Sequence, residues 1–310
     1  MHGHLLHRAV VAILAMTSVS SAVGPTHAAT VDRGSVATAS PCGALFPRHP
    51  AITHVIWVWM ENESYDSIIG SRDAPYETQL AHACGLATNY QAITHPSLPN
   101  YLAATGGSTF GVTDDAEPGS HPIEAASIFE QIDHAHKTWD GYAESMPENC
   151  DLVTSGDYAA RHNPAVYYVP LRAACAADDV PMGSLRNGAL ATAARGGKLA
   201  NFSFVTPNIC DDAHSCPVAD GDAWLGHFLP TIFASPEYQA GTVAVFLTFD
   251  EGNSDNRVPM IVAARSVPKG ATSGETFTHY SLLRTAEVLL HLRYLGAAAK
   301  SNSMVAAFHL

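Results

Sequence analysis

The run Thr242-Val-Ala-Val-Phe-Leu-Thr-Phe249, followed at once by Asp250-Glu251-Gly252, decides the fold class. It is continuous in apolar and β-branched residues with no alternation, so it reads as a strand buried on both faces, as in a parallel sheet covered by helices. The acids that close it fall where open α/β sheets gather their ligands, beyond the carboxyl ends of the strands. A second run of this kind, Ile52-Thr-His-Val-Ile-Trp-Val-Trp59, passes into Met60-Glu61-Asn62-Glu63-Ser64-Tyr65-Asp66.

Shorter strands are expected over 201–206 and 258–264, and an extended stretch over 138–143. Helical patterns cover 73–83, 99–105, 127–136, 184–194 and 220–233. The last covers 279–295, where Leu282, Leu283, Ala286, Leu289 and Leu290 fall on one face. Residues 151–197 are otherwise loop-rich. Strands alternating with helices predict an α/β sandwich around a largely parallel sheet, forming a single domain over 51–310.

The chain has 310 residues, 47% of them hydrophobic, with a formal net charge of −13 and 17 histidines. That apolar content supplies a core and excludes disorder, while the acidic balance excludes an electrostatic nucleic-acid binder. Arg8, the run Ala9 to Met16 and the small residues before Ala28 and Ala29 read as a secretory signal over 1–29. A Ser-, Ala- and Pro-rich lead-in over 30–50 follows. The apolar run is shorter than the ~20 residues of a membrane span, so no stable membrane insertion is expected after cleavage, and the location is extracellular. Six cysteines (Cys42, Cys84, Cys150, Cys175, Cys210, Cys216) suggest three disulfides in an exported chain. Of the possible pairings, neighbours in order are favoured.

Five polar segments carry candidate chemistry. The acids after the two long runs, Glu61-Asn62 and Asp250-Glu251, are oxygen-rich clusters suited to a divalent cation, though either alone also reads as an acidic turn. Thr94-His95-Pro96-Ser97-Leu98-Pro99-Asn100 places a hydroxyl where a helix begins, so Ser97 is a nucleophile candidate or simply an N-cap. Asp211-Asp212-Ala-His214 and His279 could form a second metal site or a proton-donating, phosphate-contacting cluster. His54, His134, His136 and the remaining histidines read as surface or structural.

These segments, with Gly221-Asp-Ala-Trp224 and His279-Tyr-Ser-Leu-Leu-Arg284, occur in an order that resembles the phosphoesterase family of acid phosphatases and phospholipases C. That family is a branch of the alkaline-phosphatase superfamily. The resemblance spans about 54–295. It implies an alkaline-phosphatase-like three-layer α/β/α sandwich and a divalent metal cofactor held by Glu61, Asn62, Asp250 and Glu251. Some relatives have Asp where Glu251 stands. It further implies Ser97 as nucleophile, with Thr94 in reserve. Asp212, His214 and His279 then match positions that bind a second metal or the phosphate, and His95, His214 or His279 would protonate the leaving alcohol. The substrate implied is a phosphate monoester, a phosphoinositide or sugar phosphate among them. A phospholipase C-type diesterase is the alternative, but those relatives carry C-terminal domains absent here. A serine esterase would need a Gly-x-Ser-x-Gly elbow, and Gly106-Gly-Ser-Thr-Phe-Gly111 does not supply one.

Overall fold

The computed structural model describes residues 40–253 and 255–310. The expected signal and the first part of the lead-in lie outside them. In chain order the elements are β1 (His54–Met60), α1 (Tyr65–Ile68), α2 (Pro75–Ala83), β2 (Gly85–Gln91), α3 (Ser97–Gly106), α4 (Ile128–His134) and β3 (Trp139–Ala143). There follow α5 (Arg172–Asp178), β4 (Asp179–Pro181), α6 (Ala189–Gly196), β5 (Phe202–Thr206), α7 (Val218–Phe233), α8 (Pro236–Ala240) and β6 (Val243–Phe249). The chain closes with β7 (Arg257–Ala263), β8 (Ala271–Ser273), β9 (Phe277–Thr278), α9 (His279–Leu289) and α10 (Val305–Phe308).

The strands form one sheet in the order β4-β3-β5-β1-β6-β7-β2-β8, with β9 also on β2. Every pairing is parallel except those of β7 with β6 and with β2, so the largely parallel sheet expected from the buried runs is present. β1 and β6 lie together in its middle, and β6 is buried along its whole length. Alternate side chains of β1 reach the two helical layers. Trp59 packs on Tyr101 of α3 and His279 of α9, while Met60 points to α7. A Cβ on Gly221 would lie 3.0 Å from the Met60 methyl, so α7 approaches this closely because that residue has none.

The three disulfides join Cys42 to Cys84, Cys150 to Cys175 and Cys210 to Cys216, the neighbour-in-order pairing.

Several local expectations are corrected. β2 reads Gly-Leu-Ala-Thr-Asn-Tyr-Gln, too polar to stand out, yet it lies inside the sheet between β7 and β8. α5 and β4 sit in the stretch read as loop, and β4 is an edge strand of three residues. α9 ends at Leu289, and His291 soon turns the chain at φ 57°. Ser97 is the first residue of α3, not its N-cap, with Pro99 inside the first turn.

Candidate functional site

Register builds the centre of the site. β1 and β6 run parallel with Met60 opposite Phe249, so the next residues, Glu61 and Asp250, leave the sheet side by side. The Asp250 N–H donates to the Met60 carbonyl at 3.1 Å, which extends the ladder one step. β5, the other neighbour of β1, runs into the loop 207–216. There the Asp212 carbonyl accepts the Glu61 N–H at 2.8 Å, and Cys210–Cys216 closes the loop. Glu61, Asp212 and Asp250 are all fully buried.

α3 delivers the hydroxyl. Ser97 donates to Glu61 Oε2 at 3.1 Å and is buried. Asn100, one turn on, fixes the approach to it. Its Oδ1 accepts the N–H groups of Ile93 (2.9 Å) and Thr94 (3.1 Å), and its Nδ2 donates to the carbonyls of Thr94 (2.9 Å) and Pro96 (3.1 Å). Tyr101 donates its phenol O–H to Glu61 Oε1. The Thr94 hydroxyl instead donates to the His95 carbonyl at 3.1 Å, which favours Ser97 as the group inside the cluster.

With no cation among them, the buried carboxylates hold their protons more tightly than free ones. Burial, then the charges of Asp250 and Asp212, pushes Glu61 well above the carboxylate range. Burial and the neighbouring Glu251 push Asp250 up to about 7, and burial, reinforced by Asp250, pushes Asp212 up to about 8. Asp250 Oδ1 accepts the Asn62 N–H at 3.0 Å, while Oδ2 is buried and makes no hydrogen bond of its own, although the Ser97 hydroxyl is near enough to help lower the Asp250 pKa. Carboxylates gathered this way resist ionisation unless a cation joins them. The donor set of Glu61, Asp250 with its open oxygen, Ser97 and the adjoining Asn62 and Asp212 therefore fits a hard or borderline divalent metal.

The remaining expected residues surround this cluster at different depths. Glu251 accepts from His95 Nδ1 at 3.1 Å and from Asn100 Nδ2 at 3.4 Å, turning toward the His95 rim. His95 is 53% exposed there. His214 is also exposed, with its ring against Arg161. His279 departs from the expected role of proton donor or phosphate contact. It is fully buried behind Asp250, with Nε2 on the Asp250 carbonyl at 2.6 Å and Nδ1 on the Tyr90 hydroxyl at 2.9 Å. Burial lowers it to about 4, so the neutral ring steadies the Asp250 backbone.

His162, one of the histidines expected to be surface or structural, belongs to the cluster. It sits in the 3-10 turn Ala160–His162, fully buried, with Nδ1 3.1 Å from Asp212 Oδ2 and Nε2 3.4 Å from Glu61 Oε1. Its ring stacks on Tyr101 at 5.7 Å between centroids. Burial lowers its pKa well below that of a free histidine, so the ring is neutral, with Nδ1 toward Asp212 and Nε2 toward Glu61. The available signal was Arg161-His162-Asn163-Pro164, a polar triplet closed by a proline in a stretch otherwise without pattern.

The Phosphoesterase family matches residues 71–293, which include every site residue except Glu61 and Asn62. A phosphatidylinositol-3-phosphatase of Mycobacterium tuberculosis is 32% identical over 299 residues, covering 94% of this chain and 91% of that protein. A phosphate-repressible acid phosphatase of Penicillium chrysogenum is 30% identical over 259 residues, covering 79% of this chain but only 61% of the fungal protein. An alkaline phosphatase superfamily protein from Vibrio parahaemolyticus superposes with a TM-score of 0.58 at 10% identity, over 82% of this chain and 71% of that one. At that identity the likeness speaks for the fold alone.

Proposed function

Because the chain belongs to the Phosphoesterase family, and is thereby a hydrolase of phosphate esters, we propose that it is an exported, metal-dependent acid phosphatase. It cleaves phosphate monoesters through a phosphoserine at Ser97. One observation carries this reading: the Ser97 hydroxyl bonds Glu61 in the same buried cluster where Asp250 Oδ2 makes no hydrogen bond of its own. A structural serine would need no such open oxygen beside it.

Glu61, Asn62, Asp250 and Ser97 would hold the cation, with Glu251 and Asp212 alongside. A divalent ion bound there lowers the pKa of the serine hydroxyl and polarises a phosphoryl oxygen. Glu61 Oε2 already accepts the Ser97 proton in a hydrogen bond and takes it as the oxygen attacks phosphorus. The P–O bond to the alcohol breaks, and His95 at the rim, oriented by Glu251, gives the leaving oxygen its proton. Water then attacks the phosphoserine and gives a proton to His95, while Glu61 returns its proton to Ser97 as inorganic phosphate leaves. Asn100 and Tyr101 keep Ser97 and Glu61 in position throughout.

Three disulfides in the chain agree with an oxidising, extracellular setting, and no helix among the described residues is long and apolar enough to cross a membrane. The name of the mycobacterial relative puts phosphoinositides among the monoesters to try, beside sugar phosphates. The direct test is Ser97→Ala assayed on p-nitrophenyl phosphate, with acid-quenched wild-type enzyme searched for a phosphopeptide containing Ser97. The reading expects a loss of at least ~100-fold and a phosphorylated Ser97. Retained turnover in the alanine variant would remove Ser97 from the chemistry.

A further inference from the structure

The cluster is built from acids, and its proposed substrate is an anion. Glu61, Asp212, Asp250 and Glu251 are joined by Asp115, whose charge reaches both Glu251 and His214. One metal among so many carboxylates leaves little net positive charge to attract a phosphate dianion. The permanent positive charge that bears on Asp212, His162 and His214 belongs to Arg161.

Arg161 is held in place on both sides. It is the middle residue of the turn Ala160–His162; the Ala160 N–H donates to Thr154 Oγ1 at 3.0 Å, and the His162 carbonyl accepts the Thr206 hydroxyl at 3.0 Å. From this half-buried position Nη2 lies 3.2 Å from His214 Nε2. A guanidinium only donates, so the His214 Nε2 lone pair accepts, and its Nδ1–H faces the Ser215 hydroxyl at 3.0 Å.

This contact bears on the number of metals. The ligand atoms of Glu61, His162 and His214 lie within 4.8 Å of one another, close enough for a second cation. Such an ion would compete with Arg161 for His214 and would sit beside a guanidinium of like charge. We propose that Arg161 binds the phosphoryl group of the substrate at the mouth of the site, supplying the positive charge that a second metal would otherwise bring. The guanidinium fork suits this task, because it matches two phosphate oxygens at once. On the substrate's arrival it exchanges His214 for phosphate. The inference rests on the phosphatase reading of the same site.

The test compares wild type, Arg161→Gln and Arg161→Lys. The readouts are competitive inhibition by inorganic phosphate, KM and kcat on p-nitrophenyl phosphate, and metal content per chain. Arg161→Gln should raise the phosphate Ki and the KM by about 10-fold or more, the range for losing a charged hydrogen bond, with metal content unchanged. Arg161→Lys, which keeps the charge and loses the fork, should fall between. An unchanged Ki in Arg161→Gln, or two metal ions per wild-type chain, overturns the proposal. Should Arg161→Gln fail to fold, Arg161→Lys decides alone: a Ki raised about threefold supports it, and a wild-type Ki overturns it. A wild-type enzyme that neither cleaves the monoester nor binds phosphate would instead remove the phosphatase reading, so the two failures are told apart.

Discussion

The backbone N–H of Asn62 donates to Oδ1 of Asp250 at 3.0 Å, tying the end of β1 to the end of β6. Asn62 makes this bond at φ 59°, a left-handed conformation that asparagine tolerates better than most residues. The bond uses one oxygen of Asp250 and leaves the other, with no hydrogen bond of its own, in the cluster around Glu61 and Ser97.

Asp250→Asn keeps the acceptor for Asn62 and removes the charge. It should cost at least ~100-fold in kcat/KM and most of the bound metal. In the metal-free state the variant should unfold at a higher temperature than wild type at pH 8, because a buried, unpaired carboxylate is gone. Calorimetry on chelator-treated proteins, beside metal analysis, checks both halves.

Tyr101→Phe removes the phenol that donates to Glu61 while keeping the ring stacked on His162. A ligand that loses its orienting hydrogen bond binds metal about 10- to 100-fold less tightly. Metal titration of the apo variant should show that loss, with activity recovering at saturating metal. Unchanged affinity would mean the hydrogen bond does not orient Glu61.

Cys210–Cys216 closes a short loop, so its removal should cost only ~2 kcal/mol of stability. The same loop carries Asp212 and His214, and the Asp212 carbonyl accepts the Glu61 N–H. Replacing both cysteines with serine should therefore lower kcat/KM by ~10-fold or more at temperatures where the protein is still folded. Parallel unfolding and kinetic measurements separate the two effects.

Asp179 gives a pH dependence outside the metal cluster. Burial pushes it up to about 7; Oδ2 accepts from Asn163 at 2.8 Å, and Oδ1 has no partner. A raised carboxylate pKa means that the folded state holds a proton the unfolded chain has released. Its contribution is complete below the unfolded pKa of about 4 and is lost as pH rises through about 7. Asp179→Asn mimics the protonated form. Its stability relative to wild type should therefore be higher at pH 8 than at pH 5 by ~2 kcal/mol, measured by urea unfolding.

The core of the fold was legible because β1 and β6 are nearly unbroken in apolar and β-branched residues, the pattern expected of a strand covered on both faces. The acids at their ends were legible for the same reason, since an abrupt change from apolar to acidic marks a strand's exit. β2 was not legible: its Thr-Asn pair interrupts the pattern, and pairing on both sides fixes it in place. His162 was hidden because no periodic element carries it. Its place depends on the long-range contacts with Asp212 and Glu61, which a local pattern cannot express. His279 shows the converse. Its position before a helix was visible, but its orientation toward Tyr90 and the Asp250 carbonyl depends on the packing of α9 against the sheet.

The account stands on a cation shared by Glu61 and Asp250 beside Ser97. Metal analysis of the purified protein, with phosphate-monoester hydrolysis followed before chelation, after it and on metal re-addition, tests this most directly. The account expects about one divalent ion per chain, activity lost with the ion and regained on its return. Full activity in protein shown to be metal-free would contradict it.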